Sequence, residues 1–339
     1  MKNNTRGNRK GPFQLSTLAL AVSMGIAGAA SADTLSIQGS WLDFEPGRDA
    51  RTYAIECFDC DDTSNIKGFP YSEHESNFTD NLSGAFKWTH ELDGRGLWGT
   101  DDFAIGGSYF KDDTKTNRFE SFDSINVVGT PYGTLDSSSG DDPSSNKDEA
   151  WFATGDVEFG WNRQHGDADV RYFVGLRTEY MEYERDAMQY LSSSNIYNGE
   201  EKSEFFGIGP RIGVSIKQPV GASKKFAVIG SVSGGIMYGH LERNFNVKAD
   251  TDAKDDLPDD SGKKWVPFAD AEVGLSYQIN DATSLVLGYQ VGYQDNIIAL
   301  SSVCTDDYDD DVKPYNDSCG NDLSSAMTHG AYLRAVFEF

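Results

Sequence analysis

Apolar and polar side chains alternate with a period of two residues along much of the chain. In the closing segment 330–339, Leu333, Phe337 and Phe339 fall on one face and Arg334 falls on the other. This alternation is typical of a strand that has one face in lipid and the other in water. Taken alone, the segment also fits the edge strand of a soluble β-sandwich. The rest of the pattern decides between the two interpretations.

Ten segments show this alternation, and the links between them are of two kinds. The segments are 34–42, 82–89, 103–109, 151–161, 170–180, 206–216, 226–238, 271–279, 285–293 and 330–339. Long polar links are centred near residues 60, 130, 193, 253 and 310, whereas short links lie near 95, 165, 221 and 281. Outer-membrane barrels separate long external loops from short periplasmic turns in this way. The sequence therefore predicts an all-β fold, a transmembrane antiparallel up-and-down β-barrel of about ten strands.

The tryptophans agree with this prediction, because all six fall at a predicted strand end or in a short link. Trp41, Trp151 and Trp265 are expected at the outer rim, and Trp88, Trp98 and Trp161 at the inner rim. Aromatic side chains gather at both membrane interfaces because one part of the ring system is apolar and another bonds to water. In a soluble core they would lie in the middle of strands instead.

The first 32 residues have the features of a cleaved export signal. Four basic residues come first, an apolar stretch over 15–27 follows, and Ala30-Ser31-Ala32 supplies the small residues that signal peptidase recognises. The apolar stretch is too short to cross a bilayer as a helix. We therefore expect a signal peptide at 1–32 and a single barrel domain at 33–339. The expected location is the outer membrane of a Gram-negative bacterium.

Charge excludes one class of partner. Without the predicted signal peptide, 25 Lys and Arg stand against 54 Asp and Glu, a net charge of −29. Nucleic acid is therefore not expected as a partner, since its binding depends on neutralising phosphates. The acidic run Asp306–Asp311 lacks the glycine and the closing glutamate of a calcium loop. Solvated surface charge is the preferred interpretation of this run, and we predict no metal site and no cofactor.

The four cysteines fit an oxidising compartment. Proximity along the chain favours the pairs Cys57–Cys60 and Cys304–Cys319 among the three pairings that four cysteines allow. A zinc site is the less favoured alternative, because no histidine cluster accompanies the Cys57-Phe-Asp-Cys60 motif. We therefore expect structural disulfides in the external loops.

The predicted inward face carries balanced charge. The bases are Lys87, Arg171, Arg177, Arg211, Lys217 and Arg334, and the acids are Asp156, Glu158, Glu179, Asp270, Glu272 and Glu338. Charges persist inside a barrel only where they are paired or hydrated. Two interpretations remain open: a network of ion pairs that fills the lumen, or a hydrated pore with charged walls. Ten strands lie between filled eight-stranded barrels and open sixteen-stranded ones, so a pore would be narrow.

Inward glycines bear on the same choice. They are Gly207, Gly209, Gly213, Gly235, Gly239, Gly288 and Gly292. These residues either leave open space in the lumen or only let the strands bend, and we expect the first. The Gly207-Ile-Gly209 motif is not a dinucleotide fingerprint, since its spacing differs and no βαβ unit surrounds it.

Two segments resemble a known family. Tyr172-Phe-Val-Gly-Leu-Arg-Thr-Glu-Tyr180 and Phe205-Phe-Gly-Ile-Gly-Pro-Arg-Ile-Gly213 are similar to the two best-marked strands of the Legionella-type major outer membrane protein family. The resemblance implies a pore-forming barrel. The closing strand, with Leu333, Phe337 and Phe339, also resembles the terminal aromatic signal that the barrel-assembly machinery recognises.

The sequence is therefore compatible with two functions. The preferred one is a porin-like barrel that allows passive diffusion of small hydrophilic solutes. The alternative is a structural or surface-interaction barrel with a plugged lumen. Catalysis is not expected, because only His74 and His240 lie near the predicted outer end and no protease motif accompanies them. Expected partners are outer-membrane lipid, lipopolysaccharide and the barrel-assembly machinery, and the sequence leaves open whether copies form a homo-oligomer.

Overall fold

The computed structural model describes most of the chain that follows the predicted signal peptide. The described residues are 33–47, 52–58, 71–75, 78, 81–92, 94–114, 117–120, 125–130, 133–135, 143–192, 195–249, 261–301 and 321–339. The predicted signal peptide, Cys60, Cys304, Cys319 and the run 306–311 lie outside them, and of Cys57 only the backbone is described. The disulfides and the cleavage therefore stay predictions.

The described residues form fifteen strands. They are β1 (Thr34–Pro46), β2 (Thr52–Phe58), β3 (Tyr71–Glu75), β4 (Asn81–Glu91), β5 (Asp102–Asp113), β6 (Asn117–Glu120), β7 (Ile125–Thr130), β8 (Gly133–Leu135), β9 (Pro143–His165), β10 (Ala168–Ser192), β11 (Asn195–Val220), β12 (Phe226–Ala249), β13 (Gly262–Asn280), β14 (Thr283–Ser301) and β15 (Asn321–Glu338). None of the described segments is a helix long and apolar enough to cross a membrane.

Ten of these strands close into one antiparallel barrel. Its order is β1-β4-β5-β9-β10-β11-β12-β13-β14-β15, and β15 pairs with β1 in register from Thr34↔Glu338 to Pro46↔Ala326. Closure leaves no open sheet edge within the membrane, which lipid requires. The predicted fold class and strand number are confirmed.

The short links are the tight turns that the sequence predicts. Gly166 and Gly221 have φ angles of 65° and 77°, a region that glycine enters without steric penalty. Between β13 and β14, the Ala282 amide donates to Oδ1 of Asn280 at 2.9 Å. The turn between β4 and β5 is longer and contains a 3₁₀ turn at Leu97–Gly99.

At the outer end the strands run further than the alternation predicts. Residues 187–192 and 195–200, expected as parts of a loop, belong to the paired outer ends of β10 and β11, and β12 extends to Ala249. Above the membrane the outward face also meets water, so it carries charged residues such as Glu182 and Lys202. Backbone pairing continues there although the apolar alternation has stopped. The loop prediction for this segment was therefore wrong.

A second, smaller sheet lies within the predicted polar loops. Strands β3, β2, β7 and β8 pair in that order, and β6 extends the barrel wall by pairing with the outer end of β9. Partners such as Ile55 and Gly129 are far apart in sequence and no strong local alternation marks them. The pattern of single segments therefore missed these strands.

The outward surface has an apolar band between two aromatic girdles. Side chains such as Leu176, Ile212, Val232 and Leu287 are about half exposed to lipid. Ring contacts in the outer girdle join Tyr109 to Trp151, Trp151 to Tyr180 and Tyr238 to Trp265, and those in the inner girdle join Trp88 to Phe103, Phe103 to Phe159 and Phe226 to Tyr277. Leu333, Phe337 and Phe339 of the predicted assembly signal also face outward.

Candidate pore interior

A polar cavity of ≈ 800 Å³ occupies the part of the barrel nearer the short turns. Its lining reaches Gln164 and Lys217 at the short-turn end and Leu42, Phe110 and Phe152 on the other side. Ten of the twelve charged residues predicted on the inward face lie here, and they are Lys87, Asp156, Glu158, Arg171, Arg177, Arg211, Lys217, Asp270, Glu272 and Arg334. Glu179 and Glu338 lie outside this lining, and Glu338 is exposed at the end of β15.

Glu158 on β9 is the centre of the cavity's first ion-pair cluster. Its carboxylate accepts from Lys87 on β4 at 2.6 Å, from Arg171 on β10 at 2.7 Å and from Arg211 on β11 at 2.9 Å. Arg171 also donates to Asp102, which is almost completely buried. Three cations around one carboxylate would repel each other, and Asp102 offsets part of that charge.

Arg177 is the centre of a second cluster, which is linked to the first. Its Nε donates to Asp156 at 2.9 Å and its Nη1 donates to Asp270 on β13 at 2.8 Å. Arg211 contacts Asp156 at 3.0 Å and thereby joins the two clusters. Ser233 on β12 accepts from Arg211 and donates to Asp270 at 3.1 Å. The network thus crosses the barrel interior from β4 to β13.

A third group of polar residues lies on the neighbouring strands β13, β14, β15 and β1. Arg334 on β15 pairs with Glu272 on β13 and donates to Oε1 of Gln38 at 2.8 Å. Gln38 in turn donates to Gln290 at 2.7 Å. Gln38 and Gln290 were not among the predicted lumen residues, because the prediction rested on charged side chains and both glutamines are neutral. Both glutamines occupy inward positions in the period-two alternation, and this pattern could have identified them.

Glu179 and Gln294 form a bond across the interior. Gln294 Nε2 on β14 donates to Oε1 of Glu179 on β10 at 2.5 Å. Glu179 is 1% exposed, and its other oxygen has no hydrogen-bond partner among the described residues. This bond lies where the polar cavity meets the apolar part of the interior.

The inward glycines do not leave open space, which corrects the expectation from the sequence. A Cβ at Gly213 would meet the Phe173 ring, one at Gly239 would meet the Phe205 ring at 2.6 Å, and one at Gly235 would meet the Phe268 ring at 2.8 Å. Tyr332 covers Gly274 and Gly288 in the same manner. Most of the inward glycines therefore seat aromatic rings against the barrel wall, whereas Gly209 meets the Ile236 backbone and Gly292 meets the Thr328 hydroxyl.

An apolar septum occupies the outer part of the interior. It consists of Leu42, Phe44, Phe78, Phe110, Ala150, Phe152, Met181, Tyr183, Phe205, Met237, Leu241, Val266, Phe268, Ile297, Ile298, Ala299 and Ala326. Phe110 and Phe152 stack with centroids 4.8 Å apart and face the polar cavity. The sequence did not predict this septum, because some of its residues lie at inward positions of predicted strands and others, such as Phe78 and Ile297, lie in predicted loops.

Buried ion pairs lie within and around the septum's outer side. Arg185 and Asp148 are fully buried and 3.0 Å apart, and Arg243 contacts Glu201 at 2.8 Å. The Tyr183 hydroxyl donates to Asp148 at 2.8 Å. Burial, together with the Asp148 carboxylate, raises the pKa of Tyr183 well above its usual range. These ion pairs and the septum together form the outer lobe of the barrel, which has the packing of a soluble core.

The described histidine side chains lie outside the polar cavity. His90 pairs with Asp33 at 2.6 Å near the short-turn end, and His329 contacts Glu45 at 3.2 Å on the outward face of the outer rim. The sequence pattern predicts only His74 and His240 near the outer end. His329 also lies there, which the pattern did not predict. Among the described residues, no group of three or more His, Cys, Asp or Glu side chains has a geometry suited to a metal ion.

Comparison with known families settles the relationship. A family profile described as the Legionella pneumophila major outer membrane protein precursor matches residues 36–311, which is most of the barrel. The chain belongs to this family. Membership confirms the resemblance of the two marked strands and places the chain among outer membrane proteins. A search of curated protein sequences finds no match.

Solved structures with similar folds are outer-membrane barrels of several kinds. The outer membrane protease OmpT from Escherichia coli is 7% identical over 94% of this chain and 100% of its own, with a TM-score of 0.46. The translocator domain of the autotransporter NalP from Neisseria meningitidis is 11% identical over 95% and 93%, with a TM-score of 0.33. The Yersinia pestis attachment invasion locus protein Ail, in complex with the heparin analogue sucrose octasulfate, is 9% identical over 92% and 100%, with a TM-score of 0.25. Similarities this distant carry no argument about activity.

Proposed function

We propose that this outer membrane protein is a narrow pore for passive diffusion of small hydrophilic solutes. The observation that carries the proposal is the polar cavity of ≈ 800 Å³ with charges of both signs on its wall. A plugged barrel gains nothing obvious from a cavity of this size, whereas a hydrated path needs one. Family membership supports the same function by analogy.

The apolar septum is the constriction of the proposed pore. Phe110 and Phe152 separate the polar cavity from the outer lobe. Apolar constrictions in channels gate by excluding water until their side chains move apart. We therefore expect small conductance steps and long closed periods rather than a continuously open channel.

Recording in planar bilayers tests the proposal directly. The purified, folded chain is expected to produce discrete conductance steps in potassium chloride. Silence over a wide voltage range, with folding verified by heat-modifiable migration, would contradict a pore. The same preparation in liposomes should admit small neutral sugars and exclude larger oligosaccharides.

Two variants locate the path. Phe110→Ala combined with Phe152→Ala removes the two stacked rings at the boundary of the cavity and should raise the conductance and the open time. Phe206→Ala is the matched control, because Phe206 is 60% exposed on the lipid-facing surface and does not line the cavity. Equal currents from wild type and the double variant would show that solutes do not pass between the Phe110 and Phe152 rings.

The septum also favours a second candidate, a plugged barrel that displays its external loops to partners. Its buried ion pairs Arg185–Asp148 and Arg243–Glu201 give the outer lobe a fixed, filled interior. Deletion of residues 302–320 should then abolish binding to a surface partner without any effect on solute uptake. If the wild-type chain conducts and the deletion variant still binds the surface partner, the second candidate is rejected.

A further inference from the structure

One turn at the short-turn end of the barrel exposes two large apolar side chains. Leu97 is 60% exposed and Trp98 is 77% exposed at the tip of the turn between β4 and β5. The short-turn end of an outer-membrane barrel faces the periplasm. Exposing both side chains to water there would be unfavourable.

The other short turns have a different composition. Their tips are Gly166-Asp167, Gly221-Ala-Ser-Lys-Lys225 and Asp281-Ala282, all polar or small. Four turns at one end of one barrel share the same solvent, so solvent exposure alone does not account for a Leu-Trp tip. The tip of residues 97–98 requires its own explanation.

The backbone of this turn holds the tip in a fixed and unusual conformation. Trp98 has φ 57° and ψ 26°, the left-handed region that a bulky residue rarely occupies. The Thr100 amide donates to the Leu97 carbonyl at 3.2 Å, and the Asp101 amide donates to the Gly160 carbonyl of β9 at 2.8 Å. The Asp101 carboxylate also accepts from the Asn162 amide at 2.7 Å. The turn is thus anchored to β9, while the side chains of Leu97 and Trp98 at its tip remain exposed.

We propose that Leu97 and Trp98 insert into the periplasmic leaflet of the outer membrane and anchor this side of the barrel there. The turn directly continues the inner aromatic girdle, since Trp88 and Phe103 lie on the two strands that it joins, with ring centroids 6.4 Å apart. Arg95 is exposed two residues before Leu97, a suitable position for a phospholipid phosphate. Apolar tips flanked by a cation are typical of segments that lie in a membrane interface.

Fluorescence of the full chain in vesicles tests this anchor. The emission of Trp98 is obtained as the difference between wild type and Trp98→Phe, both folded into phosphatidylcholine–phosphatidylglycerol vesicles. Bromine on the acyl chains near the headgroups should quench this emission, and iodide in the aqueous phase should not. Trp265, half exposed in the outer girdle, gives the reference through Trp265→Phe.

Other occupants give different results. Quenching by iodide without quenching by bromolipid would place Trp98 in water and overturn the proposal. Quenching by neither reagent would place Trp98 against protein, such as a second copy, and would overturn it equally. If Trp98→Phe does not fold, Leu97→Trp measured against wild type reports on the neighbouring position with the same expectations.

Discussion

The main-chain amide of Asp33 donates to the carbonyl of Phe339 at 2.8 Å, and the amide of Phe339 donates to the carbonyl of Asp33 at 2.9 Å. The first described residue and the last residue of the chain thus pair directly. On its other edge β15 pairs with β14, where Phe337 faces Thr283. The barrel wall is therefore complete up to the final residue, and the terminal aromatic side chain lies on its lipid-facing surface.

Deletion of Phe337–Phe339 should prevent closure of the barrel. The deletion removes the pairing of β15 with Thr34 and Leu35 and leaves open edges at the membrane boundary. We expect export without assembly, measured as loss of the heat-modifiable species and accumulation of protein in the periplasm. Glu338→Ala is the control, because Glu338 is exposed and its substitution leaves the backbone pairing intact. Normal assembly of the truncated chain would show that closure does not depend on these residues.

Loss of one cation from the arginine network should strongly destabilise the barrel. Arg177 is 8% exposed and contacts both Asp156 and Asp270. Arg177→Met leaves these two acids to share Arg211 alone, and loss of one partner from a buried pair costs about 3–5 kcal/mol. Urea unfolding in lipid vesicles measures this change.

The exposed pair Lys224–Asp167 provides the comparison for Arg177. Both of its side chains are more than 60% exposed, so Lys224→Met should cost no more than about 1 kcal/mol. Similar losses in both variants would mean that the interior network is hydrated enough to behave like a surface pair. That result would favour an open, water-filled lumen.

Because aromatic rings pack directly on glycines, a larger residue at such a glycine should destabilise the barrel, and a smaller residue in place of the ring should restore part of the loss. Gly213→Ala places a methyl group against the Phe173 ring and against Ser233 Cβ, so the barrel should lose about 1–3 kcal/mol from overpacking. Phe173→Leu in the same chain should restore part of this loss. Gly39→Ala is the control, since a Cβ there meets nothing within 4 Å. The free energy of unfolding is compared in one detergent for wild type, the two glycine variants and the double variant. An equal loss of stability at both glycines would show that the Phe173 ring does not pack on Gly213.

The barrel was predictable from sequence because lipid imposes a strict alternation. Positions such as Leu176 and Ile212 face lipid with polar or small neighbours facing inward, so local pattern and global fold agree. The ion pairs around Glu158 were predictable as a set of inward charges, but not their pairing, which depends on barrel curvature and strand stagger.

Two features could not be predicted, for different physical reasons. The septum uses residues such as Phe152 and Met181 at inward positions, and the sequence does not show whether an inward apolar side chain meets water or another such side chain. The left-handed conformation of Trp98 occurs in a turn closed by local hydrogen bonds, from the Gly99 amide to the Gly96 carbonyl at 3.1 Å and from the Thr100 amide to the Leu97 carbonyl at 3.2 Å. A bulky residue rarely adopts this conformation, so the residue type at position 98 does not predict it.

The outer lobe should open locally when its central ion pair is lost. Asp148→Asn removes the carboxylate charge that the fully buried Arg185 contacts at 3.0 Å, at a cost of about 3–5 kcal/mol, and weakens the bond to the Tyr183 hydroxyl. We expect the outer ends of β9 and β10 to become sensitive to protease added outside intact cells, whereas the membrane-embedded part stays heat-modifiable. Glu149→Gln is the matched control, because this neighbouring residue faces outward and pairs with exposed Lys111. Protease resistance equal to wild type in both variants would show that apolar packing of the septum holds the outer lobe without the ion pair.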